Sequence, residues 1–113
     1  TQSLAVDHAA AGLRANVVCP GWTVTEMADE EMAAFGASRG VGVPEAYSLV
    51  TSLVPQRRPA RAAEVAAAVC WLLSDAASYV NGAVIPVDGA GIAVDAGTLP
   101  FDPRVEVRRG PAP

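Results

Sequence analysis

The chain has 113 residues, enough for one small domain and not two. Half of them are apolar and the net charge is −4, a globular composition rather than a disordered one, and an acidic chain gains nothing from a phosphate backbone, which argues against nucleic acid as a partner. The longest apolar run, Val65 to Leu73, is too short to cross a bilayer, and no basic stretch followed by an apolar one opens the chain as a secretion signal would.

The first residue is threonine, which points to a fragment or a processed product. All eight basic residues are arginine, so any mechanism that needs a lysine ammonium is closed to this chain alone. Arg-only, Ala-rich usage also suggests a GC-rich bacterial gene. Cys19 and Cys70 lack a CxxC spacing and a neighbouring His, and read as small buried thiols in a reducing compartment. His8 stands alone, without a carboxylate or thiol cluster.

Thr1 to Ala11 reads as the end of a helix, with Leu4, His8 and Ala11 on one side and Ala5 and Ala9 beside them. Gly12 follows where a helix stop favours positive φ. Arg14 to Cys19 reads as a short strand stopped by Pro20-Gly21. Met27 to Phe35 is helical in pattern. Thr23-Val24-Thr25-Glu26 fits a capping box with Thr23 as N-cap, and Thr25 is the alternative cap.

Gly36 to Gly42 reads as a glycine-rich loop, and Pro44 suits the first turn of the next helix, whose apolar side holds Tyr47, Val50 and Leu53 or Val54. Pro55 to Pro59 breaks it. A strong helix follows, roughly Ala62 to Ser74, with Val65, Val69 and Leu72 at i, i+4 and i+7. Glu64 complements its dipole, but neither Arg61 nor Ala62 is a good cap. Ala83 to Val87 reads as a strand, and Pro86 places it at a sheet edge or a strand end. The tail, residues 93–113, reads as extended. Helix and strand alternate, which predicts an α/β fold with parallel strands, and two strands are too few to complete one.

Several segments in order resemble the short-chain dehydrogenase/reductase family. They are Ser3-Leu4-Ala5-Val6-Asp7, Gly12 through Gly21, Arg58-Pro59, Glu64-Val65-Ala66, Leu72 through Gly82, and Ile85-Pro86-Val87-Asp88-Gly89. The resemblance spans Thr1 to about Gly91. It implies the C-terminal portion of a doubly wound Rossmann-type parallel sheet: the last two strands, an interface helix, a lid insertion over about residues 22–54 and the last helix, together making one unit over residues 1–92.

The family's reaction is hydride transfer between a nicotinamide cofactor, NAD or NADP, and a small-molecule alcohol or carbonyl substrate. The resemblance puts the Pro20-Gly21 turn at the nicotinamide pocket, the Thr23 backbone at the carboxamide and the Thr25 hydroxyl at the carboxamide or pyrophosphate. It implies a cytoplasmic homo-oligomer joined through Ala62–Ser74 and Val84–Val87, with no nucleic-acid or membrane partner.

Departures from the family pattern are equally informative. Its chemistry uses a Tyr, a Lys four residues later and an upstream Ser. Here Tyr47 is followed at that spacing by Thr51 and Tyr79 by Ala83, so no catalytic residue is expected in this chain. Ala90 stands where the family has a second glycine. Two other readings stay open. One is a non-catalytic interaction module pairing with full-length relatives. The other is a binding domain using Gly36–Gly42, whose GxxxGxG spacing imitates a phosphate loop but follows an acidic helical stretch instead of a strand.

Overall fold

Gly12 ends the first helical stretch at φ +81, a left-handed value that only glycine adopts freely. The computed structural model describes residues 1–106. Its elements are α1 (Gln2–His8), β1 (Val17–Pro20), β2 (Thr23–Val24), α2 (Glu26–Ala37), α3 (Val43–Val50), β3 (Ala60–Arg61), α4 (Ala62–Leu73) and β4 (Val84–Val87), with single 3-10 segments between some of them.

β1 pairs with β4 in parallel, Val17 opposite Val84 through Pro20 opposite Val87. β2 pairs with β3 in parallel, Thr23 opposite Ala60 and Val24 opposite Arg61. Parallel strands need helical crossovers, and α2, α3 and α4 lie between the paired partners in the chain. Pro86 sits opposite Cys19, and β4 has no strand on its other side among the described residues, so the missing N–H costs no ladder bond there.

Two asparagines fasten the start of the β1–β4 pair. The Asn16 amide nitrogen donates to Val80 O at 2.9 Å, while its oxygen accepts from Ala83 N at 2.9 Å. The Asn81 oxygen accepts from Ala15 N at 2.9 Å, and its nitrogen reaches Ala5 O and Leu13 O. At the other end Gly21 N donates to Val87 O at 3.1 Å.

The tightest packing lies between α2 and α3. Ala28, Met32, Ala46 and Tyr47 form one buried cluster, flanked by Trp22, Phe35, Val41, Val43 and Val50. Thr51 is buried beside it and donates its hydroxyl to Tyr47 O at 2.7 Å. Gly36 is part of this packing, because a Cβ there would meet Val41 O at 2.5 Å.

Several expectations are corrected. Thr23 is not the helix cap; it belongs to β2, and Thr25 caps α2 by accepting from Ala28 N at 3.2 Å. Gly36 is not in a loop, since α2 runs on to Ala37 and only residues 38–42 turn. The helix read over Thr1 to Ala11 is α-helical only to His8 and turns 3-10 over Ala9–Ala11; its buried residue is Ala5, which faces Gly82 and Asn81. Cys19 and Cys70 are both exposed: a two-stranded sheet and one helix leave those faces bare among the described residues. The expected extended tail is broken by 3-10 turns at Gly91–Ala93 and Ala96–Phe101, nucleated by the Asp88 and Asp95 carboxylates on the backbone amides of Ile92 and Gly97. The end of that expected tail, residues 107–113, lies outside the described residues.

Other local expectations match more closely. Pro44 stands in the first turn of α3, and α4 spans Ala62–Leu73. Arg61 is its N-cap and has no acceptor to offer. Glu64 compensates by accepting from Arg61 N at 2.8 Å.

Candidate active-site groove

At its C-terminal end β1 becomes the Pro20-Gly21 turn. Gly21 passes so close to Asp88 that a Cβ would stand 2.9 Å from the Asp88 Cα. The turn is therefore a glycine position by contact, and it brings bare backbone to the end of a parallel strand. β2 is held there by its short ladder and by Ala60 N donating to Trp22 O at 2.8 Å. α2 then starts at Thr25, and α4 crosses alongside.

Between these elements runs an apolar groove of about 700 Å³. Pro20, Gly21, Thr23 and Thr25, the four residues expected at the nicotinamide, all line it. Met27 adds a wall from α2, and Val65 and Val69 from α4. The i, i+4 spacing of those valines signals a helix face; that the face borders a groove is a tertiary fact the spacing does not carry. The glycine-rich segment at 36–42 does not border it. A helix precedes that segment where a phosphate loop requires a strand, so the phosphate-loop arrangement is not built here.

The two threonines have different capacities. The Thr23 hydroxyl donates to Gly21 O at 3.0 Å and is spent on the turn. The Thr25 oxygen accepts from Ala28 N, while among the described residues its own proton has no acceptor. It is thus a donor at the rim of an apolar groove. A flat heteroaromatic ring carrying a carboxamide fits this set: apolar walls for the ring, exposed backbone at the turn and one free hydroxyl for a polar group.

Behind Trp22 lies a second, more polar cavity of about 370 Å³, bordered by Thr51, Arg58, Glu64 and Asp88. Arg58 grips Glu64 with both terminal nitrogens, at 2.8 and 2.7 Å. That pairing, with the Arg61 backbone N–H next, holds the Glu64 carboxyl down at about 2. Arg58 is raised in turn by the same partner. Among the described residues no group of three or more His, Cys, Asp or Glu side chains converges as metal ligands would. No helix among them is long and apolar enough to cross a membrane.

Parallel strands, a helical crossover and a crevice at the strands' carboxyl ends are parts of a doubly wound α/β fold. A family model described as enoyl-(acyl carrier protein) reductase matches residues 1–91. The chain belongs to the short-chain dehydrogenase/reductase family. It is similar to Protein MoaE of Klebsiella aerogenes, 44% identical over 100 residues, which covers 88% of this chain and 39% of that protein. The solved structure of a short chain dehydrogenase family protein from Francisella tularensis superposes with a TM-score of 0.78 at 34% identity, over 83% of this chain and 39% of that one. Actinorhodin polyketide ketoreductase, solved with NADPH, superposes with a TM-score of 0.69 at 32% identity, over 80% of this chain and 34% of that one. The chain thus spans well under half the length of the relatives it matches, and these neighbours carry the doubly wound Rossmann-type fold expected from its sequence.

Proposed function

We propose that this chain is the C-terminal part of an NAD(P)-dependent oxidoreductase that moves hydride between a nicotinamide and an alcohol or carbonyl substrate. The observation that carries the reading is the convergence of Pro20, Gly21, Thr23 and Thr25 on one apolar groove at the end of a parallel strand. When bound, the nicotinamide cofactor supplies or accepts the hydride. Pro20 and Gly21 give its ring backbone to lie against, the Thr23 main chain takes the carboxamide, and the Thr25 hydroxyl donates to the carboxamide or pyrophosphate. The apolar walls keep water off the reacting face. The lid, about residues 22–54, covers the substrate.

Proton transfer belongs to residues outside this chain. It holds no lysine, and no tyrosine is followed four residues later by a basic group. The 113-residue chain is therefore expected to show no NAD(P)H-linked turnover with alcohols or ketones. Supplying the family's preceding strands, with their Tyr-x-x-x-Lys, should restore it. Turnover by the purified chain alone would overturn the reading.

The surface supports self-association through Ala62–Ser74 and Val84–Val87. Trp71 is 45% exposed, Leu73 77% and Val84 55%, an apolar set that water does not favour. The same exposure supports the second reading, a non-catalytic module that pairs with full-length relatives. Mixing experiments separate the two. An enzyme fragment regains turnover when complemented by the missing strands, whereas a module forms a heteromer with an intact relative and gains none.

A further inference from the structure

We propose that Tyr47 is a positioning residue for Thr25: from the buried core of the α2–α3 hairpin it braces the first turn of α2 and so sets where the Thr25 hydroxyl stands in the groove. This rests on the reading that Thr25 meets the cofactor.

The chain of contacts is short and continuous. The Tyr47 ring is 5% exposed and packs with Ala28, Met32 and Ala46. Its hydroxyl donates to Asp29 Oδ1 at 2.9 Å. Asp29 N donates to Thr25 O at 2.8 Å, and Ala28 N donates to Thr25 Oγ1 at 3.2 Å. Both of the amides that grip Thr25 thus belong to residues that Tyr47 holds, Ala28 through its ring and Asp29 through its hydroxyl. Tyr47 is itself fixed from behind, because Thr51 donates to its carbonyl from both N (3.0 Å) and Oγ1 (2.7 Å).

Burial first, and then the Asp29 carboxylate, raise the Tyr47 phenol, so it remains a donor throughout the neutral range. Through the Tyr47–Asp29 bond and the two amides on Thr25, the α2–α3 core and the groove rim form one mechanical unit. The hydroxyl and its carboxylate partner matter to the turn that carries Thr25, since Thr25 offers its remaining proton to the groove.

The test uses the holoenzyme assembled with the family's remaining strands. NADPH and NADH dissociation constants are measured by fluorescence titration for wild type, Thr25→Val, Tyr47→Phe and the double variant, with amide exchange followed across residues 25–29. Tyr47→Phe keeps the ring and removes one hydrogen bond, so the expected rise in dissociation constant is about three- to tenfold. Exchange should quicken at residues 25–29, and Tyr47→Phe should add nothing once Thr25 is valine, since coupled residues are not additive. Asp29→Ala should copy Tyr47→Phe, and Asp29→Asn, which retains an acceptor, should rescue it. If Tyr47→Phe fails to fold, the Asp29 pair carries the test. Unchanged cofactor affinity in Tyr47→Phe beside a weakened Thr25→Val, or effects that multiply in the double variant, would overturn the positioning role alone. An unchanged Thr25→Val would remove the cofactor reading of Thr25, and this inference with it.

Discussion

Gly21 and Asp88 meet backbone to backbone where β1 and β4 end. A Cβ on Gly21 would stand 2.9 Å from the Asp88 Cα and 3.0 Å from its Cβ. Neither side can retreat. Gly21 N is bonded to Val87 O, and the Asp88 carboxylate accepts from Ala90 N at 3.0 Å and Ile92 N at 2.9 Å. Gly21→Ala is expected to cost about 1–3 kcal/mol, the usual penalty of overpacking. Chemical denaturation of the assembled protein checks it, and an unshifted midpoint would contradict the tight joint.

On the proposed cofactor reading, Thr25→Val removes two functions at once. The lost cap on Ala28 N should destabilise α2 by about 1 kcal/mol, and the lost donor should weaken cofactor binding by about 1–2 kcal/mol. Thr25→Ser keeps both groups and should restore both. Helix content by circular dichroism reads the first effect, and cofactor titration reads the second.

Ala90 has φ +69, a left-handed conformation that an L side chain enters at a cost. Ala90→Gly relieves that strain, partly offset by the entropy of the unfolded glycine, and should stabilise by about 0.5–1 kcal/mol. The Ala90 N–H to Asp88 is backbone and survives the change. A thermal midpoint that falls in Ala90→Gly would contradict the strain.

Glu64 is held at about 2 by Arg58, below its unfolded carboxylate value. A depressed acid stabilises the fold above its unfolded pKa, and that contribution is lost as pH falls through the folded one. The thermal-midpoint difference between wild type and Arg58→Gln should therefore be full near neutrality, shrink below about pH 4.3 and vanish near 2. Both partners are partly exposed, so added salt should also shrink it. A difference independent of both pH and salt would assign Arg58 a packing role instead.

Local chemistry made much of this fold legible. Gly12 as a helix stop, Pro44 in the first turn of a helix, the apolar face of α4 and the alternation that demands parallel strands are all short-range signals, and the structure contains each. The resemblance supplied the four groove residues. What stayed hidden was long-range contact. Gly36 looks like loop glycine because a Gly-rich run favours turns, yet its missing side chain is needed where Val41 O closes on α2. Thr51 is polar, and nothing local announces its burial under Tyr47. Thr23 and Thr25 offer equal capping chemistry. Only the pairing of Thr23 with Ala60 decides between them.

Asn16 and Asn81 join stretches of chain 64 to 68 residues apart in four of their five bonds. The Tyr47–Asp29 bond closes a loop of 18 residues. Closing the longer loop costs more entropy before any contact rewards it. The expected order of assembly is that the α2–α3 hairpin condenses first and the strand pair that floors the groove is keyed together last. Folding kinetics should report φ-values near zero for Asn16→Ala and Asn81→Ala and clearly higher values for Met32→Ala. The groove is then the final thing this sequence makes, because the strand end beneath it waits on two amide side chains to set its register.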